Sequence, residues 1–259
     1  MRGLRHSLIP LFQEHGATHM AVAFDRAIAP VGISESREDD DALIHRQCGL
    51  AADAVRALGI AIWPMVRVEA DDAIATGVVR YSREPELEQT VIASSDTDFT
   101  QCVRGDEVVL YNRNTKTILD EEGVIARFGV HPKQIPDYLA LVGDVSDGLP
   151  GIPGWGPKSA AAVLSRYGSI ESIPRDGEWD VQVRGAERLA RSLDRRWLEA
   201  VLCRDLSILR TNVPIPHTIA DLEWRGAHRE ELTQLCDTLG ETDVLYRVPL
   251  FNSSPHDTS

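Results

Sequence analysis

The chain has 259 residues, a formal net charge of −13 and 43% hydrophobic residues, which suits one large domain or a domain with a smaller appendage. It has no apolar run long enough to cross a bilayer, no signal-peptide pattern within residues 1–10 and no Cys-x-x-Cys pair. Cys48, Cys102, Cys203 and Cys236 are dispersed, which argues against a disulfide frame or a zinc site and fits reduced thiols in the cytoplasm.

Taken in chain order, Leu4 to His15 reads as a helix closed by Gly16. Met20 to Phe24 reads as a buried strand ending in Asp25. Residues 26 to 41 read as irregular and finish on the acidic run Glu38-Asp-Asp-Asp41. Ala42 to Leu58 predicts a helix closed by Gly59, and Ile60 to Met65 a second strand leading to Val68-Glu-Ala-Asp-Asp72. Ala73 to Tyr81 predicts a helix. Thr90 to Ser94 predicts a third strand ending in Ser95-Asp-Thr-Asp98, and Glu107 to Tyr111 a fourth, joined to Thr117 to Leu119 by a turn at Asn112 to Asn114. Helices over Glu121 to Phe128 and Pro132 to Gly143 follow. After Gly168 the pattern is all-helical, clearest over Ala186 to Ser192 and Arg195 to Cys203, and the tail from Asn252 reads as disordered. Strands alternating with helices predict an α/β fold, a mostly parallel sheet flanked by helices.

The stretch from Leu141 to Leu164 carries the most chemistry. Asp144 and Asp147 would share one turn of a helix if the helix from Pro136 continued that far. Gly151, Gly154 and Gly156, with Pro153 and Pro157, then form a loop that must turn sharply and expose backbone N–H groups. Pro157 suits a helix start, and Lys158 falls in that helix's first turn, an arrangement that attracts phosphate. Taken alone, an Asp-x-x-Asp pair is usually a solvated helix face and a Gly/Pro loop usually a mere connection. Their fusion in this order favours metal-dependent chemistry on a phosphodiester.

Three predicted strands run into acid: Asp25, then Glu69, Asp71 and Asp72, then Asp96 and Asp98. In an open parallel sheet, ligands bind beyond the carboxyl ends of the strands, so these acids should converge on one rim with Asp144 and Asp147. Crowded carboxylates repel unless cations are present, and oxygen ligands of this kind select Mg²⁺ or Mn²⁺ over zinc. Two such ions can activate a water and stabilise the leaving oxygen of an in-line displacement. Singly, Asp96 could instead cap a helix, and Asp71 and Asp72 could simply favour a helix N-terminus. The acidic net charge argues against a nonspecific nucleic-acid coat. Between Val181 and Arg210, however, seven arginines stand against four acids.

The series Ala23-Phe-Asp25, Glu69-Ala-Asp-Asp72, Ser95-Asp-Thr-Asp98 and Gly143-Asp-Val-Ser-Asp-Gly-Leu-Pro-Gly-Ile-Pro-Gly-Trp-Gly-Pro-Lys158 resembles the 5′ nuclease (flap endonuclease) family. That family includes the 5′-3′ exonuclease domain of bacterial DNA polymerase I and stand-alone bacterial flap endonucleases. The resemblance implies a PIN-like (resolvase-like) core over residues 1–135 and a helical, SAM-fold-like subdomain with a helix-3-turn-helix element over residues 136–251, with 252–259 as a tail. It implies a 5′-3′ exonuclease or structure-specific 5′ flap endonuclease using two divalent ions held by Asp25, Glu69, Asp71, Asp72, Asp96, Asp98, Asp144 and Asp147. DNA contacts would come from Gly151, Gly154, Trp155, Gly156, Lys158 and Ser159, with K⁺ in the 151–156 hairpin. Expected partners are branched or 5′-ended duplex DNA, with neither a membrane nor an obligate protein partner, and the expected state is a monomer.

Two features depart from the family pattern. The family opens on a strand ending in an Asp-Gly-Asn-type motif whose Asp ligates metal, whereas Met1 here already falls in the helix that should follow it, so the expectation is an N-terminally truncated core, with either a chain that starts too late or a ligand truly lost. Relatives carry a basic arch after the first acid, whereas Arg26 and Arg37 are the sole positive residues between Asp25 and Ala42, so single strands should be repelled. The rival reading is a catalytically impaired structure-specific DNA-binding protein of the same fold. A weaker one is an RNA-directed ribonuclease, against which the 151–156 hairpin speaks.

Overall fold

The computed structural model describes residues 8–25, 38–65 and 68–252, with the backbone alone for 38–46. The expected helix start at Leu4, the arch over 26–37 and the tail over 253–259 lie outside the described residues. The chain forms two compact units, residues 1–77 with 211–259, and residues 78–210.

In the first unit, helix α1 (Ile9–His15) ends at Gly16, whose φ of 61° supplies the left-handed cap. Strand β1 (Ala21–Phe24) pairs in parallel with β2 (Ala61–Pro64), Ala21 opposite Ala61 and Phe24 opposite Pro64. Parallel strands need a long crossover, and helix α2 (Glu38–Ala57) provides it. Its buried stripe of Ala52, Val55 and the adjoining Leu58 faces the core; covering a side chain such as Val55 is worth roughly 1.5–3 kcal/mol. Gly59, at φ 70°, turns the chain into β2 where an added Cβ would run into the Gly226 carbonyl oxygen. Trp63 on β2 is buried against Gly77 of helix α3 (Ala70–Tyr81).

The last segment of the chain belongs to this same unit. Trp224 stacks on Phe12 with ring centroids 3.9 Å apart and donates its indole N–H to the Leu58 carbonyl at 2.7 Å. Backbone bonds from Met20 to Leu222, from Trp224 to Thr18 and from His228 to Ala57 sew it to the N-terminal strand and helix.

In the second unit, β3 (Thr90–Ala93) runs parallel to β4 (Val108–Asn112), which pairs antiparallel with β5 (Thr117–Leu119). Strand β4 is buried from Val108 to Tyr111, the continuous apolar run of a strand covered on both faces. Helix α4 (Glu121–Phe128) starts on an Asp120 cap bonded to the Gly123 amide at 2.8 Å. Helix α5 (Ile135–Val142) is buried from Ile135 through Leu141, and α6 (Pro157–Tyr167) and α8 (Trp197–Ser207) pack on it. Helix α7 (Ala186–Arg195) lies between the last two in sequence. Helices α9 (Ile219–Leu222) and α10 (Arg229–Leu239) belong to the first unit.

The expected strands are all present, but several boundaries move. Helix α2 already begins at Glu38, ahead of the expected start at Ala42. Helix α3 begins at Ala70, which places Asp71 and Asp72 in a first turn and off the end of a strand. After Ser207 the chain to Thr218 is not helical, in keeping with Pro214 and Pro216. Helix α5 stops at Val142, so Asp144 and Asp147 do not share a helical turn.

Candidate metal centre

Helix α5 stops because Gly143 takes φ 88°, a conformation open mainly to glycine, and an added Cβ would lie 2.7 Å from the Leu149 carbonyl oxygen. The next residues fold into a turn closed by two backbone bonds, Asp144 N–H to Leu149 O at 3.0 Å and Leu149 N–H to Asp144 O at 2.7 Å. Asp144 and Asp147 are thus brought to one side by a turn, at the spacing a helix was expected to supply.

A second acid reaches them from the end of β3. The Asp96 amide donates to Ser94 Oγ at 3.1 Å, and Asp96 Oδ1 accepts the Asp98 amide at 2.9 Å, opening the single 3₁₀ turn Asp98–Cys102. Gln101 secures that turn: its amide group donates to the carbonyls of Asp98 (3.0 Å) and Ser207 (2.9 Å), and its Oε1 accepts the Leu209 amide at 3.0 Å. Asp96 does not take the cap position, which falls to Thr97; its side chain instead bonds the amide two residues on, just ahead of the turn.

Asp98, Asp144 and Asp147 each offer a carboxylate oxygen, and the three oxygens lie within 4.8 Å of one another. Loss of surrounding water, then the charges of Asp144 and Asp96, push the Asp147 carboxyl above the usual carboxylate range, while a hydrogen bond with Asp98 pulls it back. Three hard oxygen donors at this separation fit a divalent cation of the Mg²⁺, Mn²⁺ or Ca²⁺ kind.

The acids of the first unit gather around the start of α3. Asp25, at the exit of β1, accepts the Ala70 amide on Oδ1 at 2.7 Å and so caps that helix from 45 residues away. Glu69 is exposed, Asp71 half-buried and Asp72 buried. Among the described residues, none of Asp25, Glu69, Asp71, Asp72 and Asp96 belongs to a ligand group as tight as that of Asp98, Asp144 and Asp147.

The glycine hairpin follows directly. Gly151 (φ 66°) and Gly154 (φ 90°) turn the backbone, and the Ile152 amide bonds back to the Leu141 carbonyl at 2.8 Å. Gly156 caps α6, its amide donating to Ser159 Oγ at 3.0 Å and that hydroxyl donating to the Gly156 carbonyl at 2.9 Å. Lys158 is exposed in the first turn. Trp155 is 7% exposed and donates its indole N–H to the Leu189 carbonyl at 3.1 Å, while Ser192 Oγ donates to the Pro153 carbonyl at 2.7 Å. Trp155 thus supports the hairpin from beneath and locks it onto α7.

Two residues that sequence reasoning passed over help to build this region. Ser146 bonds to Asp144 through both its amide, at 2.8 Å, and its hydroxyl. Gln134 donates its amide to the carbonyls of Leu164 at 2.8 Å and Gly168 at 2.9 Å, fastening the far end of α6 to the start of α5. A serine two residues after an aspartate signals such a turn locally; the Gln134 contact, 30 residues away, leaves no local signal.

Three carboxylates meet beside the exit of β3, and a backbone hairpin and a helix N-terminus follow Asp147 within one short stretch, a grouping suited to a divalent ion and a phosphate. The comparisons agree. The 5′-3′ exonuclease N-terminal resolvase-like domain matches residues 1–129, and the 5′-3′ exonuclease C-terminal SAM fold matches residues 130–230. The chain belongs to the 5′-3′ exonuclease family.

DNA polymerase I of Mycobacterium leprae is 35% identical over 246 residues, covering 92% of this chain and 26% of that protein. DNA polymerase I of Bacillus caldotenax is 29% identical over 255 residues, covering 95% and 28%. The chain therefore spans about a quarter of the length of these relatives. Among solved structures, T5 5′-exonuclease with divalent metal ions (zinc) bound is similar with a TM-score of 0.58 and 16% identity, over 92% of this chain and 84% of that one. The catalytic core of Rad2 in complex with DNA substrate has a TM-score of 0.51 and 17% identity, over 87% and 76%. These two likenesses establish the fold. Among the described residues, no helix is long and apolar enough to cross a membrane.

Proposed function

We propose that this chain is a metal-dependent 5′ nuclease that hydrolyses phosphodiester bonds in branched or 5′-ended duplex DNA, as a 5′-3′ exonuclease or flap endonuclease. The observation that carries the proposal is the meeting of ligand oxygens of Asp98, Asp144 and Asp147 within 4.8 Å of one another, the last two on the stretch that runs straight into the glycine hairpin. These three would hold one divalent ion, Mg²⁺ or Mn²⁺; Asp25, Glu69, Asp71, Asp72 and Asp96 remain the further candidate carboxylates for two-ion chemistry. Such ions, when bound, neutralise phosphate charge and acidify water, which the acidic side chains alone cannot do.

The remaining work falls to the chain's own groups. The hairpin from Gly151 to Gly156, with Lys158 at the start of α6, would hold duplex backbone, and its carbonyls suit a K⁺ ion. Exposed arginines on α7 would add phosphate contacts, which position the duplex without reading its sequence. The functional division would place the catalytic acids largely in residues 1–135 and the duplex grip in 136–251. We place the protein in the cytoplasm as a monomer.

The test is a labelled 5′-flap duplex incubated with the chain, with and without Mg²⁺ or Mn²⁺. Cleavage should require metal, and Asp98→Asn with Asp147→Asn should abolish it while duplex binding persists. Duplex binding with no cleavage in either metal would instead favour the DNA-binding protein without catalysis.

A further inference from the structure

We propose that Ser146 is a positioning residue for Asp144, holding one carboxylate oxygen so that the other is presented to a divalent cation; this rests on the nuclease reading above. The turn that carries Asp144 projects into solvent: Val145 is 97% exposed, and Ser146, Asp147 and Gly148 are exposed as well. Its backbone is fixed by the paired bonds between Asp144 and Leu149 and by Gly148 at φ 69°. A fixed backbone does not fix a side chain, however, and the half-buried Asp144 carboxylate still has several staggered rotamers open to it.

Ser146 removes that freedom. Its amide donates to Asp144 Oδ1 at 2.8 Å, and its hydroxyl donates to the same oxygen. Among the described residues no hydrogen bond reaches Oδ2. The two donors therefore commit one oxygen and leave the other available on a group already close to ligand oxygens of Asp98 and Asp147. The amide contact would survive any side chain at position 146. The hydroxyl is the part that serine contributes, and threonine would reproduce it. Partners of this kind, which orient a metal ligand without touching the metal, typically change metal affinity 10–100-fold when lost.

The experiment measures Mn²⁺ binding to the chain without DNA, by the electron paramagnetic resonance signal of free Mn²⁺, for the wild type, Ser146→Ala and Ser146→Thr. Ser146→Ala should weaken binding roughly 10-fold, and Ser146→Thr should restore most of it. In 5′-flap cleavage titrated with Mn²⁺, the alanine variant should need more metal for half-maximal rate yet approach the wild-type kcat at saturation. Its metal-free thermal midpoint should match the wild type, since position 146 is exposed. An alanine variant that binds Mn²⁺ like the wild type, or a threonine variant as weak as alanine, overturns the role of the hydroxyl. A wild-type chain that takes up no Mn²⁺ overturns the nuclease reading itself, a separate outcome.

Discussion

Buried charge at the residue scale has a measurable consequence at Asp137, in the first turn of α5. It is 8% exposed, and its Oδ1 finds no hydrogen-bond donor. Burial pushes its carboxyl up to about 6, the Ile170 amide pulls it down, Glu171 raises it and Arg204 lowers it. Arg204 does little to neutralise it because that guanidinium already pairs with Glu171 and with Asp205, the latter at 2.9 Å. A carboxyl whose folded pKa lies above its unfolded value binds its proton more tightly when folded. Its protonated form therefore adds no penalty below about pH 4, and the folded state loses stability as pH rises from there through about 6. Asp137→Asn should flatten that part of the stability profile and raise stability at neutral pH. Urea unfolding of both chains from pH 4 to 8 checks this; parallel profiles would show that the buried carboxylate costs nothing.

At the scale of elements, the pair α5 and α6 with the hairpin between them is fastened at both ends. Near the hairpin the fastening is the backbone bond from Ile152 to Leu141, and at the open end it is the Gln134 amide bridging the Leu164 and Gly168 carbonyls. Gln134→Ala leaves those two carbonyls without that donor and should cost about 1–3 kcal/mol, read as a lower urea midpoint at unchanged slope. Most of these elements were legible in the sequence, because apolar runs mark β1 to β4 and because Gly16 and Gly59 stop helices at left-handed caps. The loop carrying Asp144 was not. A glycine after Val142 is compatible with a helix that continues or one that stops, and the choice is made by Leu149 and Gly151, whose backbones crowd Gly143 from later in the chain. The start of α3 was illegible for a related reason. Its cap is Asp25, supplied from another strand, so the acidic run from Glu69 to Asp72 looked like the end of β2 when it forms the entrance to a helix.

At the scale of the whole molecule, the proposed function requires a chain of net charge −13 to concentrate positive charge where DNA would be held. Helix α7 does so: Arg184 just before it and Arg188, Arg191 and Arg195 along it recur at helical spacing, and all four are exposed. Arg191 lies 3.9 Å from Glu187, too distant and solvated to neutralise it. No ion pair engages Arg184, Arg188 or Arg195 among the described residues. The opposite face of α7 is buried at Leu189, Ala190 and Leu193, and the helix is bonded to the hairpin through Trp155 and Ser192, so the helix that carries the row is anchored to the hairpin. If each arginine displaces one condensed counterion, replacing two of them should lower the slope of log affinity against log salt by about 2. Arg188→Gln with Arg191→Gln should therefore bind a duplex more weakly than the wild type at low salt and converge with it as salt rises, while Mn²⁺ binding stays unchanged. A duplex titration across a salt series separates the outcomes: an unaltered slope would mean that the duplex lies elsewhere and that the arginine row only offsets the chain's own acids.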